Sequence, residues 1–478
     1  MGSGEICLGA NDYLITPREE RNTAEGSDLK RIRHLGFQIA PILEVFNPLD
    51  CVQGVYRSDL IFSEILESKE LRTVLGEEGL QHFNIAGEFK NATGLSLIEY
   101  IDITLAILFS QVYPANDNVR ATQYFTIRGL LRHSTLDPEI VKKYLRLESR
   151  NVDEFREILS AQSRRYSNSF SFGPFKTFPI LEVFAGVFVC IDSTLLIDKL
   201  DSGIYWKIFD KLRSKKQKLD FFQAFGFIFE LYVRRVIAAM TSARGRNGLH
   251  FPSPRYENGE KSFDEVIYYP ETKHLVVIET KSGFIPTPAK YGRSIREFTK
   301  QVRRKFVEKE DGIEKGVKQL AKHLSRILSK ERTLRHKLAD SQLQHCFDEV
   351  EKVSPLLIVQ ERVLSIHIHE QALNTELHRY LLQKDFLLRD SVKTQQLTIL
   401  EIGELERLQE HVTAGHFTLE QCLNARAYRD REYKHLFLDF IFENFQPPRA
   451  SGTEAESIYL SVLDRIKHRF FGPEDNEY

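Results

Sequence analysis

Two acidic residues and a lysine lie within two short, strongly apolar segments near the middle of the chain. The first segment, 262–269, contains Asp264 and is otherwise rich in aromatic and β-branched residues. The second, 274–280, is almost wholly apolar up to Glu279, and Lys281 follows it directly. Such compositions are typical of β-strands, and the intervening Pro-Glu-Thr-Lys sequence favours a turn. We therefore predict a β-hairpin that carries all three charged side chains.

The register of this hairpin decides whether the charged groups meet. If Tyr269 faces His274, then Asp264 faces Glu279, with Cβ atoms roughly 4.5–5.5 Å apart. Lys281 shares the face of Glu279 because side chains alternate along a strand. An ordinary salt bridge between Asp264 and Lys281 is the alternative, but it would leave Glu279 facing another acid. Two facing carboxylates and a lysine are better explained by a divalent cation between them.

The residue types suit a metal-assisted reaction at a phosphate group. Mg²⁺ prefers oxygen ligands and is usually held by one or two carboxylates together with substrate phosphate. The bound ion acidifies water and neutralises charge on the phosphate. A lysine beside it can stabilise developing charge or orient the attacking water.

An upstream acid, Glu230, stands in the middle of a strongly apolar run, 220–233. The run has the length of a helix, and a helix that is apolar on nearly all sides is buried. A buried carboxylate is costly unless it is paired with a cation or binds a metal. Its alternative partner is Arg234 or Arg235 on the same helix.

Together these residues resemble the motif of the PD-(D/E)XK nuclease superfamily, which has the restriction-endonuclease-like fold. The resemblance implies that Asp264, Glu279 and the carbonyl of Thr280 hold Mg²⁺, with Mn²⁺ as a substitute. It also implies that Lys281 assists the attacking water and that Glu230 adds a further metal ligand.

The resemblance covers about a hundred residues, 221–321, and departs from the family name at one position. Phe263 stands where the motif has proline, and that position is variable in the family. A further apolar segment, 355–359, has the character of a strand and would complete an αβββαβ core. We therefore expect an α/β (α+β) protein, with a mostly helical N-terminal domain and helical C-terminal additions.

A predicted helical stretch, roughly 294–338, follows the hairpin and is strongly basic. Residues 281–337 contain 17 Lys and Arg against 6 Asp and Glu, a net charge of +11, whereas the whole chain carries −1. Clustered cations provide sequence-independent affinity for nucleic acid, although charge runs are more often solvated helix faces. Gln319 resembles a glutamine of the second family helix, and His323 stands where some branches have tyrosine. The candidate nucleic-acid-binding residues are Lys300, Arg303, Arg304, Lys305, Lys315, Lys318 and Gln319.

Length and composition indicate a globular chain of several domains. The chain has 478 residues, of which 42% are hydrophobic and 28% charged. We divide it into an N-terminal domain of unknown role (1–205), a nuclease domain (206–395) and a C-terminal extension (396–478). The extension begins with a predicted strand that runs into a helix near 397–406, and it packs on the nuclease core or forms an oligomer surface. No apolar run is long enough to span a membrane. The five cysteines are scattered without CxxC spacing, which favours a reducing, cytoplasmic location.

The expected function is that of a Mg²⁺-dependent endodeoxyribonuclease, with DNA preferred to RNA. Hydrolysis that leaves a 5′-phosphate and a role in restriction or anti-phage defence are implied by the resemblance alone. Two alternatives stay open. One is a non-catalytic nucleic-acid-binding or assembly subunit on the same fold, and the other is a structure-specific repair or recombination nuclease. A homo-oligomer or a partner protein of a defence system fits each of them.

Overall fold

The computed structural model describes residues 84–112, 124–132, 134, 136–165, 173–200, 202–242, 248–291, 294–308, 312–329, 337–383 and 392–429, and scattered positions between 437 and 470. Most of the first half of the predicted N-terminal domain therefore lies outside the described residues, as does much of the C-terminal helical region.

The N-terminal half of the described chain contains eight α-helices and four short strands. The helices are α1 Ile85–Thr93, α2 Leu97–Val112, α3 Ile127–Leu130, α4 Pro138–Glu148, α5 Val152–Arg165, α6 Gly173–Thr177, α7 Ser193–Ile197 and α8 Ser202–Phe209. The strands are β1 Tyr124–Thr126, β2 Ser149–Asn151, β3 Ile180–Phe184 and β4 Val187–Cys190, and they form one sheet in the order β1-β4-β3-β2. The region is mostly helical, as expected, but it also includes this small sheet.

The second half is built around a larger sheet. Its helices are α9 Lys215–Ser242, α10 Thr287–Tyr291, α11 Ile295–Phe306, α12 Gly316–Leu328, α13 Ser341–Glu349, α14 His367–Gln383, α15 Ile402–Thr413 and α16 Leu419–Arg429. Its strands are β5 Leu249–Pro252, β6 Glu265–Tyr269, β7 His274–Lys281, β8 Lys352–Val359, β9 Lys393–Thr394 and β10 Thr398–Glu401.

The large sheet is mixed, with the order β10-β8-β7-β6-β5 and with β9 paired to β8. Strands β5, β6 and β7 are antiparallel neighbours, whereas β8 runs parallel to both β7 and β10. The fold is therefore of the mixed α/β type. The sequence predicts a strand followed by a helix near 397–406, and the structure has β10 and α15 there. Strand β10 lies at one edge of the sheet, beside β8.

Strand β7 is buried on both faces because the sheet separates two apolar cores. Val276 and Ile278 belong to a core that also contains residues of α9 and of the N-terminal helices. Leu275 and Val277 belong to a second core with Phe306 and residues of α12 and α14. The alternation of side chains along a strand thus explains why 274–280 reads as an almost continuous apolar run.

The predicted hairpin forms with the predicted register. Tyr269 pairs with His274, and the ladder continues to Glu265 opposite Ile278. The ladder ends there, so β6 is shorter than the segment 262–269. Asp264 lies just before the strand, where its backbone N–H donates to the Ile278 carbonyl at 3.1 Å.

Across the described residues, no single helix is both long and apolar enough to cross a membrane, although α1 and the first part of α2 pass that test together as a pair bent by 66°.

Candidate active site

Three carboxylates from three elements meet at one end of the hairpin. Asp264 precedes β6, Glu279 is near the end of β7, and Glu230 is on the long helix α9. The packing of α9 on the sheet brings Glu230 there. Gly226, one turn earlier, faces the residue that follows β7. A Cβ atom on Gly226 would lie 3.8 Å from the Ser282 hydroxyl, an ordinary contact distance.

Thr280 holds the Asp264 carboxylate in place. Oδ2 of Asp264 accepts hydrogen bonds from the Thr280 backbone N–H at 2.7 Å and from the Thr280 hydroxyl at 2.8 Å. Burial alone would raise the pKa of Asp264, but the ammonium groups of Lys261 and Lys281 and the Thr280 amide lower it below its usual value. Thr280 therefore fixes the orientation of Asp264, and the nearby charges favour the ionised form of this acid although it is buried.

Lys281 pairs with Glu279 and not with Asp264. Its Nζ lies 2.5 Å from Oε1 of Glu279 and donates to the Thr280 carbonyl at 2.9 Å. The simple salt bridge between Asp264 and Lys281 is thus not formed. Burial and the nearby charge of Asp264 raise the pKa of Glu279 to about 7, although Lys281 opposes the shift.

Glu230 is paired by a lysine from another segment rather than by its own helix. Oε2 of Glu230 accepts from Nζ of Lys261 at 2.6 Å. Arg234, which is one proposed local partner, instead lies 2.9 Å from Oε1 of Glu265. Partial burial and the charge of Asp264 raise the pKa of Glu230 above its ordinary value.

Lys261 is the site residue that sequence reasoning missed. Its Nζ also lies 2.6 Å from Oδ1 of Asp264, so this one ammonium group bridges two of the three acids. Burial would lower the pKa of Lys261, but Asp264 and Glu230 outweigh that effect and raise it. Its position three residues before Asp264 was the available signal in the sequence.

The oxygen atoms of the site are of the kind that binds Mg²⁺, but lysine ammonium groups now form hydrogen bonds or ion pairs with them. Asp264, Glu279 and the Thr280 carbonyl are hard oxygen ligands of the kind that Mg²⁺ requires. Each of them is now bonded to Lys261 or Lys281. Within the described part of the chain, no group of three or more His, Cys, Asp or Glu residues is arranged to hold a metal ion. Asp264 and Glu279 would hold Mg²⁺ only after these ammonium groups move.

The candidate nucleic-acid-binding cations differ in how far they are exposed to solvent. Lys300 and Arg304 are exposed on α11. Arg303 pairs with Glu376, and Lys318 pairs with Glu308 at 2.5 Å. Lys305 lies beside Phe222, and burial together with Arg304 and Lys290 lowers its pKa to about 8. The cationic surface is therefore smaller than the count of basic residues indicates.

The first two turns of α12 contain the other candidates. Lys315 is the N-cap residue of the helix, without a side-chain capping hydrogen bond, and is partly buried, as is Gln319 one turn later. Oε1 of Gln319 is buried and has no hydrogen-bond partner among the described residues. His323 lies against Phe263, with ring centroids 5.5 Å apart, and its Nδ1 is 3.0 Å from the Tyr256 hydroxyl. The first turns of α12 thus pack beside the segment that leads to Asp264.

A second cluster has a hydrogen-bond pattern known from hydrolases, but it is closed to substrate. Nε2 of His274 is 2.7 Å from the Ser354 hydroxyl, and its Nδ1 is 3.1 Å from Oε1 of Glu420. His274 is fully buried, and the Ser354 hydroxyl is also bonded to Gln395. The cluster joins β7, β8 and α16 and is structural.

Searches of this chain against protein-family models, curated proteins and solved structures gave no match.

Proposed function

We propose that this protein is a Mg²⁺-dependent nuclease that hydrolyses phosphodiester bonds in DNA. The observation that carries the proposal is the convergence of Glu230, Asp264, Glu279 and Lys281 at one end of the hairpin. Carboxylates so close together are unfavourable in a protein that only needs to fold. Hard oxygen ligands beside a lysine are the groups that metal-assisted phosphoryl chemistry requires.

The order of elements supports the same proposal. Helix α9 and strands β5, β6 and β7 are followed by helices α10 to α13 and then by strand β8. This order is compatible with the αβββαβ succession of the restriction-endonuclease-like core, with additional helices between β7 and β8. The acids and the lysine lie on α9 and at the end of the hairpin, where the resemblance to that family leads us to expect them. The fold assignment is part of the proposal because it relies on this succession and on the motif.

In this proposal each residue has a defined task. Thr280 orients Asp264, and Asp264 and Glu279 supply carboxylate oxygens for the cation. The bound cation would acidify the attacking water and neutralise charge on the phosphate. Lys281, which is partly exposed, turns from Glu279 toward the substrate to orient the water or stabilise the developing charge. The exposed cations Lys300 and Arg304 bind the DNA backbone.

Incubation of the purified protein with linear, nicked, circular and single-stranded DNA, and with RNA, tests the proposal directly. We expect cleavage of DNA with Mg²⁺ or Mn²⁺ and none with EDTA. Glu279→Gln keeps the shape of the side chain and should abolish cleavage. Equal cleavage by Glu279→Gln would indicate a contaminating nuclease and would contradict the assignment.

One observation favours a non-catalytic nucleic-acid-binding protein as the second candidate. Each of the three acids is already paired with one of two ammonium groups, so the cluster has a formal net charge of only −1 without a metal ion. A protein of that kind would bind DNA equally well with and without Mg²⁺. It would also show no heat of Mg²⁺ binding in calorimetry, whereas the nuclease should show binding that Glu279→Gln weakens.

A further inference from the structure

The ammonium group of Lys261 lies where a cation on Asp264 would have to bind. Oδ2 of Asp264 already accepts two hydrogen bonds from Thr280. Oδ1 is the remaining oxygen, and Nζ of Lys261 lies 2.6 Å from it. The same Nζ lies 2.6 Å from Oε2 of Glu230. One positive charge therefore occupies the space between two acids of the proposed site.

This arrangement has a clear electrostatic reason. A buried carboxylate without a partner is costly, and Asp264 and Glu279 are almost completely buried. Lys261 and Lys281 together bring three negative charges to a net charge of −1. The protein can thus fold with its acids together before it meets a metal ion.

We propose that Lys261 is a built-in counter-cation that competes with the divalent metal for Asp264 and so sets the metal affinity of the site. This inference rests on the proposed function and describes its regulation. When the metal is absent, Lys261 bridges Glu230 and Asp264. Metal binding requires that Lys261 leave Oδ1 of Asp264, so a part of the binding free energy is spent on that displacement.

Only the side chain has to move. The backbone around Lys261 belongs to a loop in which the Ser262 N–H and hydroxyl both donate to the Pro254 carbonyl, at 2.8 and 2.9 Å. The Ala339 N–H fixes the same loop through the Arg255 carbonyl at 2.9 Å. The side chain of Lys261 is 31% exposed. It therefore has solvent to turn into when a metal replaces it.

Isothermal titration calorimetry with Mg²⁺ and Mn²⁺ tests the proposal. The wild-type chain and Lys261→Met are titrated at one ionic strength. We expect at least a tenfold lower Kd for Lys261→Met, because the competing charge is gone. The metal-free variant should also melt at a lower temperature and gain more thermal stability from added metal than the wild type does.

Lys322→Met is the matched control. Lys322 is similarly exposed and also lies between two carboxylates, at 3.0 Å from Glu260 and 3.5 Å from Glu314. Its removal should lower the melting temperature without changing the metal Kd. If Lys261→Met does not fold, Lys261→Gln should show the same tighter binding, and Lys261→Arg, which keeps the charge, should not.

The failures of the two proposals are distinguishable. An unchanged or higher metal Kd for the neutral variants, with metal binding and cleavage by the wild type intact, would overturn the role of Lys261 alone. If neither the wild type nor the Lys261 variants bind metal, both the competition and the nuclease proposal are wrong. Tighter binding by Lys261→Met and Lys322→Met alike would indicate a general charge effect and would also overturn it.

Discussion

Replacement of Lys281 should separate catalysis from DNA binding more clearly than a change at any other residue of the proposed site. We expect Lys281→Ala to lower the cleavage rate by about 10²–10⁴, the usual contribution of a positioned acid–base group. Affinity for a labelled duplex, measured by fluorescence anisotropy without divalent metal, should change little. Cleavage at the wild-type rate would remove Lys281 from the mechanism.

Lys273→Ala is the control for this change. Lys273 lies at the turn of the same hairpin and pairs with Glu351 at 2.5 Å. It is far along the strand from the acids, so its loss should leave both the cleavage rate and the affinity unchanged.

At this scale the sequence predicts that Asp264 and Glu279 lie close together, but not which cations pair with the acids. Asp264 and Glu279 come together because the turn fixes the register of the hairpin, and local sequence pattern determines that turn. Glu230 joins them through the packing of α9 on the sheet, which local pattern does not determine. The pairing of Lys261 with two acids depends on the closure of the loop 253–262, which long-range contacts with Ala339 stabilise. No local pattern contains that information.

Two glycines show how closely the elements around the site approach each other. Gly316, at the start of α12, has φ +31°, and a Cβ on it would lie 2.7 Å from the Phe306 carbonyl oxygen. Gly316→Ala should therefore lower the free energy of unfolding by about 1–3 kcal/mol.

Gly226→Ala is the counterpart within helix α9, where a Cβ meets only the Ser282 hydroxyl at 3.8 Å. It should raise stability by about 0.5–1 kcal/mol. Urea unfolding measures both, and equal effects would contradict the packing.

In the proposed function, the exposed cations Lys300 and Arg304 on helix α11 contact the DNA backbone. Neutralising Lys300 and Arg304 together should weaken DNA binding and lower the slope of log K against log salt by about 2. Lys142 and Lys143, two exposed neighbouring lysines on α4, provide a double-neutralisation control. If both doubles give the same slope as the wild type, the DNA surface lies elsewhere.

The basic stretch 294–338 illustrates where element prediction fails. Its composition indicates one helical region, whereas the structure has α11 and α12 with a turn between them. That turn includes Gly312 at φ +80°, and the Lys315 N–H closes it on the Val307 carbonyl at 2.9 Å. Acids from α14 and from the turn then pair with Arg303 and Lys318. Charge counting along the chain cannot detect such partners.

At the scale of the whole molecule, Glu404 gives a pH dependence that does not involve the proposed site. It closes the capping box of α15, where its Oε2 accepts from the Glu401 N–H at 2.9 Å. Burial raises the pKa of Glu404 to about 7, although the Glu401 amide and Arg362 oppose the shift. At this residue the folded chain therefore binds more protons than the unfolded chain between pH 4.5 and 7. The contribution of Glu404 to stability should fall as the pH rises through that window.

Glu404→Gln keeps the capping box, since glutamine also serves at that position, and removes the titration. We expect the decrease in unfolding free energy from pH 4.5 to 7 to become smaller by at most about 3 kcal/mol. Chemical denaturation at a series of pH values measures it. An identical slope in the variant would show that Glu404 does not titrate in this range.

The overall organisation was the least accessible to sequence reasoning. Strand patterns identify β7, β8 and β10 individually, but not that β8 lies between the other two. The core on one face of the sheet also contains Phe89, Tyr100 and Ile107 from the N-terminal helices. Hydrophobic periodicity shows that a face is buried without showing which distant segment covers it.

The position of β8 between β7 and β10 has a consequence for how the chain reaches its native state. Strands β5, β6 and β7 are near neighbours in sequence and can pair as soon as they leave the ribosome. The apolar edge of β7 then stays open until Lys352–Val359 is made, and the edge of β8 until Thr398–Glu401. Open apolar edges pair readily with other chains. Synthesis of this protein therefore passes through an interval in which the acidic hairpin is complete while the nascent chain is most vulnerable to aggregation.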